Sequence, residues 1–495
     1  MSGLSSIDLT IVVVYLLGTL LFGAWIGRKQ KDTADYFLAG RQIPWPAVTL
    51  SIVATETSVL TFISIPAISY LGNMTFIQIV LGYLIGRILV ALIVIPAYFK
   101  RDIQTAYHFF GHRFGQRMRN TASITFMTTR VLADGVRLFA TAIPLALIIK
   151  SSGTLAGLSD REFYALSILI IGALTIFYTY FGGIRAVIWM DVMQLIVYMT
   201  GAILAIFIIF NKLPDGFASV TTWAASENKF KWFDLGADLS LAEFIKQPYT
   251  FFTALIAGAI FSVASHGTDQ IIVQRILACK NKKAAQKAMI ASGFAVLGQF
   301  FIFLMIGILL YTYYEGVKPE QLGVTQADAV FPKFIIEEMP SIIKGFILAA
   351  LFAAAMSTLS SSVSSLASAS VLDIYIPFAG KGKSDAELLK ISRLVTLGWG
   401  VVLILTAFAF IRLQGTVVET ALGIASYTYG GLLGTLILGL KFKQVSQTDA
   451  IVAFVTSLVV MAIVIATVQI AWPLYTVIGS TTAVLAGLIS NKVKS

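Results

Sequence analysis

Charge is what this 495-residue chain lacks most. Only 12% of its residues are Asp, Glu, Lys or Arg, half the roughly 25% of a soluble domain. With 57% hydrophobic residues and a mean hydropathy of +0.85, that shortage excludes an ordinary soluble enzyme and a disordered chain. A single cysteine, Cys279, excludes an intramolecular disulfide and a paired-cysteine metal site. There is no HExxH and no Walker loop, so neither enzyme activity nor use of ATP by this chain is expected. Gly182-Gly183 in YFGGIRAV reads as a short loop between spans, not as a nucleotide fingerprint. No basic stretch precedes Ile7, so no cleavable signal peptide is expected. The net charge of +11 does not point to nucleic acid, because the basic residues are scattered over loops between apolar runs.

What is there is apolar sequence in span-sized lengths. Roughly thirteen runs are long enough to cross a bilayer, at 7–27, 45–71, 74–99, 120–149, 163–181, 185–210, 249–275, 287–314, 331–372, 391–411, 416–440, 448–468 and 471–490. The run 331–372 is too long for one span and reads as an amphipathic lead-in followed by a span. The class is an all-α polytopic membrane protein forming one membrane domain. Basic loops follow the first, third, seventh, ninth and eleventh spans, carrying Arg28, Lys29, Arg101, Arg113, Arg275, Lys280, Lys381, Lys390 and Lys441 among others. All fall on one side, which is expected to be cytoplasmic, with the N-terminus outside and the C-terminus inside. The polar, Trp-containing stretch 211–247 on the other side is expected to form a small extracytoplasmic cap.

Several polar residues sit at membrane depth, where a charge is costly and usually faces a cavity or a partner: Glu56, Arg87, Arg130, Asp134, Arg137, Asp191, His266 and Asp269. The second span has a polar centre, Ala54-Thr55-Glu56-Thr57-Ser58, with Pro66 beyond it. That pattern predicts an interrupted helix whose freed carbonyls and hydroxyls face an ion or solute, against the alternative of a small-residue packing seam. The seventh span, with Ser265-His266-Gly267-Thr268, predicts a second break near Gly267, five spans later. Two breaks so spaced predict an inverted repeat of five helices with the solute between them. In the ninth span Ser357, Ser360, Ser361, Ser364 and Ser368 share one helix face. Such a stripe suits either tight packing or a small hard cation, with Asp191 as the nearby charge. In the fourth span Arg130, Asp134 and Arg137 lie on one face as an internal ion-pair ladder, or with one arginine left for a carboxylate on the solute. Arg87 is an alternative partner for Glu56.

These residues resemble the sodium:solute symporter family, which includes sodium/glucose, sodium/sialic acid and sodium/proline symporters. The likeness covers roughly 10–440. It rests on TADYFLAGR (33–41), on Gly182-Gly183 followed by VIWMDVMQ (187–194), on TDQIIVQR (268–275) and on the serine run from Ala353 to Ser362. The resemblance implies a LeuT-type five-plus-five inverted repeat, with an extra N-terminal helix (7–27), a first repeat (45–210), a second repeat (249–440) and two C-terminal helices (448–490). It implies a main sodium site at Ala54, Thr57, Ala354, Ser357 and Thr358, and a second at Asp191, Ser357, Ser360 and Ser361. It implies a solute site beside Thr55, Glu56, Ser58 and Thr61, with Phe76 and Gln78 on the next helix, Phe261 and His266 across the cavity, and Arg130 or Arg137 for a carboxylate. Glu56 departs from the family: the sialic acid branch has a hydroxyl residue there and the proline branch an aspartate. A carboxylate at that place would aid sodium binding or hold an amino group of the solute. The implied function is sodium-coupled import of a small organic solute (a sugar, sialic acid, a carboxylate or an amino acid) across the plasma membrane by alternating access. The partners are then Na+, the solute and the bilayer. The rivals are a proton-coupled transporter of the same fold, with Glu56 or Asp191 carrying the proton, a channel, and a transport-dead sensor.

Overall fold

The computed structural model describes residues 5–26, 30–101, 103–151, 157–324, 327–411 and 417–494; Arg28 and Lys29, expected in the first basic loop, lie outside them. The chain is mostly helical over these described residues, with turns and short extended connections between the helices. Its long helices are α1 (Ser6–Ile26), α2 (Trp45–Glu56), α3 (Val59–Leu71), α4 (Ile77–Leu89), the short α5 (Ala106–Phe114), α6 (Gln116–Ser151), α7 (Asp160–Asn211), α8 (Ala257–Thr268), α9 (Gln270–Leu277), α10 (Lys282–Tyr313), α11 (Ile343–Ser368), α12 (Asp385–Phe410), α13 (Val417–Lys441), α14 (Gln447–Thr467) and α15 (Pro473–Lys494). Single π turns, Val90–Val94 and Ala369–Tyr375, continue α4 and α11 without a break. Among the described residues, nine continuous helices are long and apolar enough to cross a membrane, and the pair α2–α3, bent by 63°, forms a broken tenth span. Helix α7 is kinked at Gly183 and covers two of the apolar runs, and α6 and α13 cover two more.

Local chemistry sets the breaks. In α7, Gly183 has φ 52 and ψ −157, a backbone state that side chains with a Cβ disfavour. A Cβ there would also lie 2.5 Å from the Tyr36 carbonyl oxygen. The YFGGIRAV segment thus holds the kink that separates the two halves of α7, as expected of a short connection between spans, with the TADYFLAGR segment packed into it. The second span breaks at Thr57-Ser58. Thr57 is extended (ψ 105), and Ser58 restarts the helix with a capping box to Thr61. The seventh span breaks at Asp269, two residues beyond the Gly267 read as its centre. Gly267 stays helical because Asp269 makes the turn: extended at ψ 125, it caps α9 by accepting from the Ile271 amide at 2.9 Å. The lead-in before the ninth span is a separate helix, Val330–Glu338.

The traverses define two ends. At one end, residues 212–250 form a cap containing two short helices, Phe217–Val220 and Leu241–Phe244. Lys229 pins this cap to the end of α3 by donating to the Tyr70 carbonyl at 2.7 Å, with its ammonium 3.9 Å from the Tyr311 ring centre. A cavity of about 1860 Å³ opens at the cap end, between Lys246, Tyr249, Asp328 and Trp472, and reaches down to both helix breaks. The other end is closed. Every residue of α9 is buried. Beside it, Arg119 donates to Asp373 at 2.8 Å, Thr105 donates to Asp373 at 2.6 Å, and the Tyr98 hydroxyl donates to the Gly267 carbonyl at 2.5 Å.

Candidate functional site

The first break frees backbone oxygen. The Thr57 amide closes the last turn of α2 on Val53, and the Ser58 amide turns to the Thr61 hydroxyl at 3.4 Å instead of continuing to Ala54. The carbonyl of Ala54 therefore loses its usual helical donor, and extended Thr57 aims its own carbonyl off the helix axis. The Thr57 side chain is held from behind by Val53 O (3.0 Å) and by the Gln299 amide. Helix α2 packs on α11, which carries Ala354, Ser357 and Thr358. Thr358 lines the cavity, and its hydroxyl donates to the Ala354 carbonyl at 3.2 Å. Neutral, hard oxygens thus stand on both facing helices, a donor set suited to a monovalent hard cation.

Glu56 ends α2 at the cavity wall. Arg87 donates to one of its oxygens, and His266 Nε2 lies 2.5 Å from the other. Arg87 is fully buried and also donates to Ser292 at 3.1 Å. His266 Nδ1 lies 2.9 Å from the Ser265 hydroxyl and 3.0 Å from the Ser262 carbonyl. This triad joins the two broken helices directly, and Arg87 is the partner of Glu56.

Arg130 is bound on three sides. It donates to Asp134 at 3.3 Å, to Asp269 in the second break, and to the Tyr429 hydroxyl at 3.2 Å; Tyr429 in turn donates to Asp269 at 2.7 Å. Asp134 also accepts from Ser362. Arg137 differs. Its one ion pair is a loose 3.5 Å contact to the same Asp134, its side chain is 24% exposed, and it faces the cavity. The ion-pair ladder is real, and Arg137 is the arginine with donors to spare.

Asp191 is fully buried on α7. It accepts from Ser357 at 2.6 Å and from Ser51 at 2.5 Å. The group opposite it is the guanidinium of Arg275, which donates to Asp191 at 2.8 Å, to Ser51 at 2.8 Å and to Ser361 at 2.6 Å. Arg275, expected in the basic loop after the seventh span, is fully buried in α9, because that helix runs on to Leu277 and turns the side chain toward the core.

The profile of the sodium:solute symporter family matches residues 36–457. The chain belongs to the sodium:solute symporter family. It is 28% identical to the sodium/sialic acid symporter of Proteus mirabilis (strain HI4320), over 98% of this chain and 94% of the relative. It is 26% identical to the sodium/iodide cotransporter of Homo sapiens, over 90% of this chain and 67% of that one. Among solved structures it is similar to the substrate-bound, outward-open state of a Na+-coupled sialic acid symporter, with a TM-score of 0.86 and 29% identity over 99% of this chain and 98% of that one. The protein is a sodium-coupled symporter of LeuT-like fold in a membrane, working by alternating access, and not an enzyme.

Of the residues expected to touch solute, this symporter lines its cavity with Thr55, Glu56, Ser58, Thr61, Phe76, Arg130, Arg137, Phe261 and His266. Gln78 is absent from that lining: it is buried and donates to the Tyr249 carbonyl at 2.7 Å. Phe76 stacks on Phe300, and Phe261 packs edge-on against Tyr429 and Trp472. Ser360, expected in the second sodium site, donates its hydroxyl to the Ser357 carbonyl at 3.1 Å. Sequence reasoning missed Gln299, Tyr429, Asp328 and the role of Arg275. Only Arg275 left a signal, as a charge inside TDQIIVQR four residues after Ile271. Asp328 accepts from Ser64 at 3.0 Å near the cavity mouth, and burial there pushes its carboxyl above the usual range.

Proposed function

We propose that the cap faces the outside of the cell, that the chain sits in the plasma membrane with its C-terminus cytoplasmic, and that the cavity is the outward-open solute site of a symporter for small organic carboxylates. One observation carries the solute class: Arg137 is the cavity arginine with a single loose partner, while Arg130 is consumed by Asp134, Asp269 and Tyr429. A planar guanidinium with free donors suits a carboxylate. The relatives named for sialic acid and for iodide point the same way, toward an anion. Sodium enters at Ala54, Thr57, Ala354, Ser357 and Thr358. Its charge beside the first break favours the ordered, outward form and lets the solute carboxylate settle. One helix bundle then rocks against the other and opens the site inward; the repeats are 45–210 and 249–440, with 7–27 and 448–490 outside them.

Glu56 does not carry a proton in this reading, because Arg87 and His266 hold both of its oxygens. Its role is to tie the two breaks together, so that an ion at one is felt at the other.

The test is the thermal stability of the purified protein in sodium against potassium at equal ionic strength. The panel is sialic acid, monocarboxylates, amino acids and neutral sugars. A ligand that binds only the folded state raises the melting temperature by mass action. The expected result is a sodium-specific rise that grows further with a carboxylate and is lost with Arg137→Gln. A rise with a neutral sugar that survives Arg137→Gln would overturn the solute class.

A further inference from the structure

The pocket around Asp191 is built like a cation seat, and it already holds a cation. Four helices meet there: Ser51 from α2, Asp191 from α7, Arg275 from α9, and Ser357 and Ser361 from α11. All five side chains are fully buried. The hydrogen bonding closes on itself. Ser51 donates to Asp191 and accepts from Arg275; Ser361 accepts from Arg275 and donates to the Ser357 carbonyl at 2.7 Å; Arg275 donates again to the Ile271 carbonyl at 2.8 Å. A buried carboxylate needs one positive charge and saturated hydrogen bonds. Here both come from the chain.

The guanidinium is docked by its whole helix, not by one side chain. Gln274 donates to Ser364 at 3.2 Å, and Gln270 donates to Ser368 at 3.0 Å. Arg275, Gln274 and Gln270 thus step down the serine face of α11 in register, and that register fixes Arg275 on Asp191. A sodium ion added to the same carboxylate would place two positive charges in a dry seat against one negative charge.

We infer that Arg275 is the built-in cation of the Asp191 seat, so that the form open at the cap end binds one sodium ion, at the Ala54–Thr358 site, and not two. This rests on the sodium-site reading above. Ser357 links the two places: its hydroxyl donates a hydrogen bond to Asp191 and keeps its oxygen lone pairs for the sodium ion at the break. Arg275 is a positioning residue here, holding Asp191 and, through it, Ser357.

The experiment counts bound ²²Na+ on the purified full chain by scintillation proximity, with no solute present. The wild type is expected to saturate at one ion per chain, and Arg275→Lys, which keeps the charge, also at one. Arg275→Gln frees the carboxylate and is expected to add a second ion. Arg275→Gln with Asp191→Asn is expected to return to one. Two ions on the wild type, or one ion on a folded Arg275→Gln chain, would overturn the inference. No bound ion on the wild type would instead sink the main-site reading. If Arg275→Gln does not fold, the wild-type and Arg275→Lys counts still decide, since two ions on either defeats it.

Discussion

Arg130 and Arg137 lie two turns apart on α6, with the same residue type and the same intervening Asp134, yet the fold gives them different work. The sequence shows the ladder, because steps of four and three put the three residues on one face. It does not show which arginine is spent, since Asp269 and Tyr429 arrive from the second broken helix and from α13. The consequence is measurable. Arg130→Gln leaves Asp269 and Tyr429 with a lost donor in a buried network, and removing one partner of a buried pair costs about 3–5 kcal/mol. A large fall in melting temperature in detergent is expected. Arg137→Gln removes only a loose, part-exposed contact, and the melting temperature should move little. Its loss should appear in the half-saturation for solute, by at least about tenfold if a charge-assisted bond of roughly 1.5–3 kcal/mol is removed. Equal losses of stability in the two variants would contradict this division. Arg275 left a charge as its signal, but its partners did not show for a related reason: Asp191 and Ser361 arrive from α7 and α11.

At the scale of helices, the breaks were legible because a polar run at membrane depth has few other uses. Ala54–Ser58 and Ser265–Thr268 marked both broken spans. The exact turn in the second was set by a cap, Asp269, which sequence spacing does not separate from the glycine before it. Close approach between helices was not legible either. A Cβ on Gly307 of α10 would lie 2.0 Å from the Pro66 carbonyl oxygen and 2.1 Å from the Ser69 hydroxyl of α3. Ser69 in turn donates across the gap to the Leu304 carbonyl at 2.7 Å. This seam holds α3, the second half of the first broken helix, against α10. Gly307→Ala therefore forces backbone apart, and overpacking of this kind costs about 1–3 kcal/mol. The expected outcome is a lower melting temperature and, because α3 leads into the first break, weaker sodium protection against heat. Unchanged thermal stability in both sodium and potassium would show that the seam yields freely.

For the whole molecule, the all-helical, multi-span class was readable from apolar length. Which end stands open was not, because the cavity depends on how the helices tilt together. The open cap end and the sealed α9 end make a prediction about alternating access that one thiol reagent can read. Burial pushes the Cys279 thiol up to about 12, so the native chain should be silent to maleimide at neutral pH. Thr128 is exposed in the cavity, whereas Ser364 is buried under Gln274. In intact cells in sodium, a membrane-impermeant maleimide should label Thr128→Cys and leave Ser364→Cys untouched. In permeabilised cells with sodium replaced by potassium, Ser364→Cys should become reactive as α9 leaves the serine face, and Thr128→Cys should react more slowly. Labelling of Thr128→Cys only after permeabilisation would place the cap inside the cell. Inertness of Ser364→Cys in every ionic condition would mean that α9 is fixed, and the rocking would then have to open the cytoplasmic end along a different seam.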